Sequence, residues 1–521
     1  MAANNRSPMF SIQNPRRVFP TSSYKHETTT PLSILDASVA RFAACSAIWF
    51  FDAESSVDAR EPALFCNLEL SFRKTLSRWP HWSGQLRWAA DTDSLSTPYL
   101  GRPVITYGGN SDVGIDWTIA TCDTELEFMV PSREARSTTD QVWVATNLPQ
   151  ELQAASKLAF SNLADFEGLP GVAAQLTAFK CGGWSVHIKL AHCLSDAQSV
   201  LAFMHAWAAQ SREAESILSQ PVFDPELLDR HAGALERPDP GTVAKARGLP
   251  MHRFDWWATD APGYPDWALA SSAATMPASH VLKIQQLSPS THPPWPTWDM
   301  SLPVEHVQIV FSAEEVSRMQ DAARSTLPSQ LSELRISRLD SLLSHIWMLI
   351  NRARGSTEDN VYLDITLGLR GRLSPPLASG FVGFPLLLAY VAKSGADASA
   401  GPIGHIAGEI RSALTQFTPE SVSAYIQDAA HEVSPQRLWQ AFLGSQHTLV
   451  TSWTQLKAYD VHFSDTDATR QARYVQGVMP RLDGLVQVMD FGDSGAFDVS
   501  LSLEKSVMFR LLRDPQLRAF A

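Results

Sequence analysis

His192 and Asp196 lie four residues apart in "AHCLSDAQS" (191–199), and both side chains are of types that move or hold protons. Imidazole titrates near neutrality, so a positioned histidine takes a proton from an attacking hydroxyl or amine and returns it to a leaving group. In "VHIKLAH" the residues Val186, Ile188, Leu190 and His192 fall on one face of a strand, and His187, Lys189 and Ala191 on the other. The period then changes. Ser195 and Gln198 form an S-x-x-Q capping box, and apolar residues at 200, 201, 204, 207 and 208 make a helical stripe. His192 is therefore expected at a strand end, in the turn into a helix, on a rim that substrates reach. The same residues also fit a plainer turn, with a core histidine bonded to backbone and an aspartate serving the helix dipole. His187 reads as part of a solvated strand face. Cys193 reads as a small core filler rather than a nucleophile.

The elements that must position this turn are legible on either side. "GVAAQLTAFKCGGWSVHIKLAH" (171–192) reads as two strands turned at Gly182-Gly183. "LELSFRKTLSRW" (68–79) is helical, with apolar residues at 68, 72, 76 and 79. "HVQIVFSAEEVSRMQDAA" (306–323) predicts a strand and then a helix capped by Ser312, with Glu315 at the capping-box position. "RLDSLLSHIWMLINRA" (338–353) predicts a helix, and "NVYLDITLGLR" (360–370) a strand. Between these halves, residues 216–300 are rich in Pro, Gly, Ser and Trp without a sustained period, as in a long linker or lid. The expectation is an α/β protein with a domain over 1–215, a Pro/Trp-rich crossover over 216–300 and a second domain over 301–521.

Composition narrows the partners. At 521 residues the chain is too long for one ordinary core. A net charge of −12, with no basic stretch interleaved with aromatics, argues against nucleic acid. The five cysteines (Cys45, Cys66, Cys122, Cys181 and Cys193) form no CxxC pair, which argues against a disulfide framework and a zinc site, so no metal is expected. The longest apolar run, "FVGFPLLLAYVA" (381–392), is too short to span a bilayer and is broken by Gly383 and Pro385. No signal-peptide pattern opens the sequence. A cytoplasmic, soluble protein without membrane contact is expected.

H-x-x-x-D alone is weak, but it has company. "TTPLSILD" (29–36), "LELSFRKTLSRWPHWSGQLRW" (68–88), "HCLSD" (192–196), "QPVFDPELL" (220–228), "SRLDSLLSHIWMLINRAR" (337–354), "LGLRGRLSPPLASGFVGF" (367–384) and "TSW" (451–453) follow one another in order. Together they resemble the BAHD acyltransferases, in a form like the fungal members of secondary-metabolite biosynthesis. The resemblance implies two chloramphenicol-acetyltransferase-like domains, each a mixed sheet with flanking helices, joined by a long crossover. It implies a monomer that binds acyl-CoA as co-substrate, holds no resident cofactor, and moves an acyl group, acetyl first, to a hydroxyl of a bulky small molecule. His192 would be the general base. Trp453 would donate to the oxyanion through its indole N–H, with Ser452 as runner-up. Asp196 would turn from the channel and pair with an arginine of "RGR", Arg370 ahead of Arg372. Residues that bind the co-substrate are not assigned.

Two positions depart from the family pattern. Where its D-F-G-W-G segment belongs, this chain has His462, Phe463, Ser464, Asp465 and Thr466, so Asp460 or Asp465 would have to replace a missing carboxylate. Ala197 stands where a glycine usually follows the motif's aspartate. "VMDFGDSG" (488–495) is a decoy that resembles the family's last strands, and its DFG lacks the partners of a kinase. The departures keep two other readings open. One is a related enzyme using His192 in a CoA-independent cyclisation or elimination; the other is a non-catalytic pocket protein. A peptide-synthetase condensation domain usually has a second histidine where this chain has Ala191.

Overall fold

The hairpin that leads to His192 forms the middle of a sheet. In the computed structural model, strands Val172–Phe179 and Trp184–Leu190 pair antiparallel, and Gly182 turns between them at φ +87°. That angle suits a residue without Cβ. The structure describes residues 8–22, 26–40, 42–53, 62–90, 101–138, 142–214, 220–232, 237–277, 282, 287–355, 357, 359–464 and 471–521.

Among the described residues the first large sheet has seven strands. Its order is Phe10–Ile12, Ile115–Cys122, Val172–Phe179, Trp184–Leu190, Cys45–Phe51 and Tyr474–Gly477, with Arg16–Val18 also on Ile115–Cys122. The second, also of seven, runs Leu386–Ser394, Asn360–Gly368, His447–Ser452, Leu485–Asp490, Phe497–Glu504, Val304–Phe311 and Val142–Val144. Both are mixed, since Ile115–Cys122 runs parallel to Val172–Phe179 and His447–Ser452 runs parallel to both its neighbours. Each sheet borrows one strand from the other half of the chain. Tyr474–Gly477 pairs with Cys45–Phe51, and Val142–Val144 pairs with Val304–Phe311. Buried Arg136, just before the borrowed strand, donates to Asp498 at 3.0 Å and ties the exchange from within.

Helices cover the sheets where their apolar stripes demand it. Pro62–Leu76 and Ala197–Ser211 pack together through Phe72, Phe203 and Trp207, with Phe72 also 4.9 Å from Trp117 of the sheet. The first of these helices begins at Pro62, earlier than its apolar stripe suggested, and leaves Trp79 beyond its end. Arg338–Arg354, fully framed by a Ser337–Asp340 capping box and a left-handed Gly355, is buried along most of its length in the second core. Ser312 and Glu315 form the box that opens Ala313–Ser325.

The crossover carries regular structure where sequence periodicity showed none. Its described part includes helices Pro240–Arg247 and Asp266–Thr275 and a short strand, Phe254–Asp255, paired with Leu438–Trp439. Trp256 and Trp295 are buried with Phe254 and Phe442 in a cluster of their own. Its indoles bury one another's apolar surface in that cluster. No described helix is long and apolar enough to cross a membrane.

Candidate active site

The strand ends at Leu190, and His192 opens a single 3-10 turn, His192–Leu194, before helix Ala197–Ser211. Its ring is half-buried and stands edge-on to Phe384, with centroids 4.9 Å apart at 90°. Nδ1 lies 3.0 Å from the Ser195 carbonyl oxygen. A carbonyl only accepts, so Nδ1 carries the proton and Nε2 presents a lone pair. Burial lowers the pKa of this imidazole, and the Ser195 carbonyl and Asp196 offset only part of that. The ring is a neutral base at neutral pH.

Asp196 is the helix N-cap, its Oδ1 accepting from Ser199 N–H at 2.9 Å and from Ser199 Oγ at 2.8 Å. Ser195 had been expected there. Its hydroxyl instead donates to the Asp196 carbonyl at 2.9 Å, because the aspartate, one residue nearer, reaches the first turn. Asp196 also accepts from Arg370 at both oxygens, 2.6 and 3.0 Å, with both side chains buried. The fork of Arg370 goes on to the Phe381 carbonyl at 2.8 Å. Arg372 is elsewhere, donating to the Leu414 carbonyl at 3.0 Å.

A second carboxylate holds the same turn, and the sequence reading did not single it out. Asp36 is buried in the helix Ile34–Ser38 and accepts from Ser33 and, at 2.6 Å, from Phe384 N–H. Burial pushes its carboxyl up to about 6, against the bonds from Ser33 and Phe384. Its signal was present in "SILD", an S-x-x-D capping box. Gly383 O accepts from Asp196 N–H at 2.9 Å. Residues 381–384 thus form a strap across which Asp36, Asp196 and Arg370 meet, and Phe384 presents its ring to His192.

Residues 9–517 match the model of the transferase family. The chain belongs to that family, the BAHD acyltransferases. It is an acyltransferase. The chain is 24% identical over 481 residues to acyltransferase AFT15-1 of Alternaria alternata, covering 88% of this chain and 87% of that one. It is 25% identical over 461 residues to acyltransferase abl6 of Leptosphaeria maculans, covering 83% and 81%. Its fold resembles that of Fusarium sporotrichioides TRI101, solved with coenzyme A and T-2, at a TM-score of 0.64 and 15% identity over 94% of this chain and 98% of that one.

In this BAHD acyltransferase the segment replacing D-F-G-W-G is partly accounted for. Phe463 keeps an aromatic anchor, 4.8 Å from Trp207 and 5.4 Å from Trp184. His462 Nδ1 donates to the Asp460 carbonyl at 2.9 Å, which leaves Nε2 to accept from Arg212. Asp465 and Thr466 lie outside the described residues. Asp460 accepts from Gln471 at 3.0 Å through its side chain and is not brought to Arg370 or Arg372. The decoy is a turn, Gly492–Ser494, between strands Leu485–Asp490 and Phe497–Glu504, followed by helix Lys505–Leu511, in agreement with its reading as the last strands. Ala197 is the first residue of its helix.

Trp453 directly follows strand His447–Ser452 and is 6% exposed. Its backbone N–H donates to the Val488 carbonyl at 2.8 Å, and its indole N–H makes no hydrogen bond among the described residues. Ser452 shares its hydroxyl with Thr454 Oγ1 at 2.9 Å. Cys193 is buried, and burial pushes its thiol up, so it is no nucleophile. His187 overturns its reading as solvated. It is 1% exposed, accepts the Ala154 N–H at Nδ1 (3.0 Å) and donates from Nε2 to Ser46 Oγ at 2.8 Å. The segment around Ala154 covers that face of the sheet, which periodicity along one strand does not reveal.

Proposed function

We propose that this acyltransferase moves an acyl group, acetyl first, from acyl-CoA to a hydroxyl of a bulky secondary metabolite, with His192 as general base. The observation that carries this reading is the bond from His192 Nδ1 to the Ser195 carbonyl, 3.0 Å long, which fixes the tautomer with a lone pair on Nε2. In the reaction the acceptor O–H gives its proton to Nε2 as its oxygen attacks the thioester carbonyl carbon. The tetrahedral intermediate carries an oxyanion, for which the Trp453 indole N–H is the donor and Ser452 the second candidate. Collapse breaks the C–S bond, and the proton on Nε2 passes to the departing thiolate, so ester and free CoA form and the imidazole returns neutral. No covalent enzyme intermediate is required. The coenzyme A and T-2 in the TRI101 structure support the substrate classes by analogy of fold alone.

Calorimetric titration with acetyl-CoA, on the wild type and on His192→Ala, tests the reading. Saturable binding to both proteins is expected, with turnover in the variant reduced by about 10²–10⁴-fold, the usual worth of a positioned base. Absence of acetyl-CoA and longer acyl-CoA binding would sink it. The engagement of His462 with Arg212, in place of the family's carboxylate, makes a CoA-independent reaction at His192 the second reading. Turnover that needs His192 but no CoA would establish it.

A further inference from the structure

Away from the His192 turn, three side chains from distant parts of the chain meet in the second sheet. Asp364 lies on strand Asn360–Gly368, His447 begins the parallel neighbour His447–Ser452, and His252 comes from the crossover. Each offers a ligand atom, and these atoms all lie within 4.8 Å of one another. His252 Nε2 is 3.1 Å from Asp364 Oδ1, and His447 Nδ1 is 2.8 Å from Asp364 Oδ2. The Asp364 and His447 side chains are 0% and 1% exposed, and that of His252 is 10% exposed.

Charge decides what such a cluster needs. Among the described residues no lysine or arginine pairs with Asp364; its ion-pair partners are the two imidazoles. A fully buried carboxylate without a compensating cation is costly. His447 Nε2 is buried with no hydrogen-bond partner among the described residues. His252 Nε2 and Asp364 Oδ1 are close, yet among the described residues neither makes a well-aligned hydrogen bond. They lie side by side, at about the spacing of neighbouring ligands on an ion whose bonds are about 2.0–2.1 Å long.

We propose that His252, Asp364 and His447 form a binding site for one divalent transition-metal ion, zinc in the first instance, which pins the crossover to the second sheet. Two imidazoles and a carboxylate suit zinc and its neighbours rather than calcium or magnesium. Aromatic rings hold the ligands in place. His252 is stacked between Phe254 and Tyr390, at 4.6 and 4.3 Å, and His447 is stacked on Tyr362 at 4.7 Å. A cavity of about 30 Å³, lined also by Arg253, Tyr425, Glu432 and Gln440, borders His252 on one side. The site stands apart from the acyl-transfer proposal and does not depend on it.

The test uses untagged full-length protein, stripped with EDTA, equilibrated with zinc and desalted. Elemental analysis is expected to find one zinc per chain, and zinc is expected to raise the thermal unfolding midpoint relative to EDTA. Cobalt in its place is expected to give the visible ligand-field spectrum of a low-coordinate N/O site. His252→Ala and Asp364→Asn are expected to lose the bound ion. A wild type that retains no zinc, or a cobalt spectrum of the hydrated ion only, overturns the site. Unchanged stoichiometry in both variants overturns it too. Where a variant fails to fold, the wild-type measurements alone decide.

Discussion

Asp196 and His192 share a motif and divide its labour. The imidazole keeps Nε2 without a hydrogen-bond partner among the described residues, while the carboxylate is bound on both oxygens by Arg370 and on one by Ser199. The consequence is testable at the level of stability. Asp196→Ala leaves the Arg370 guanidinium buried without its counter-charge and removes the helix cap. The expected loss is about 3–5 kcal/mol in urea unfolding, accompanied by loss of turnover. Arg370→Lys is expected to recover little of what Arg370→Ala loses, because an ammonium is a point charge and cannot span both oxygens. Unchanged unfolding in Asp196→Ala would mean that the ion pair does not support the fold. This pairing was partly legible. The types His, Asp and Arg were readable from the motif and its resemblance, whereas Asp36 was hidden in a capping box, a pattern that usually signals a helix start and nothing more.

The strap 381–384 acts as an element, since its carbonyls, amides and one ring serve separate partners. Gly383 sits at φ +149°, and a Cβ there would stand 3.1 Å from both Asp36 Oδ1 and the Phe381 ring. Gly383→Ala is therefore expected to push the strap away from Asp36, move Phe384 against the His192 ring and cost about 1–3 kcal/mol. Turnover should fall further than acyl-CoA affinity, a split visible in steady-state kinetics alongside calorimetry. Equal kinetics and stability in the variant would remove the strap from the account. Elements with local signals were the legible ones: the Gly182 hairpin, and the helix opened by Ser312 and Glu315. The strand exchange was not legible. Tyr474–Gly477 and Val142–Val144 carry ordinary strand chemistry, and which sheet receives them is fixed by contacts with strands far away in the sequence. The same distance hid His252, Asp364 and His447, which no local spacing links.

Across the whole molecule, buried histidines make stability depend on pH. Burial lowers His81 to about 3, His187 to about 3 (Lys189 adding a little) and His306 to about 4 (Arg481 adding a little), against an unfolded value near 6.5. His81 is stacked on Phe223 at 3.7 Å, and among the described residues neither ring nitrogen is hydrogen-bonded, so a charge there is poorly compensated. Between about pH 6.5 and those folded values the unfolded chain binds protons that the native chain refuses. Stability therefore rises with pH through this window, is fully present above about 6.5 and drains away as pH falls. Asp36 works in the opposite direction, because its carboxyl, raised to about 6, binds a proton in the native state before it does in the unfolded one. The carboxyls of Asp112, Asp229 and Asp490 are raised by burial too, and the three deeply lowered imidazoles are expected to outweigh these smaller opposing shifts. The unfolding midpoint is expected to fall steadily from pH 7 to pH 4.5, and His187→Gln, which keeps a donor toward Ser46, is expected to flatten that slope. A midpoint that rises on acidification would show that carboxylates such as Asp36, and not the buried imidazoles, set the acid response of this fold.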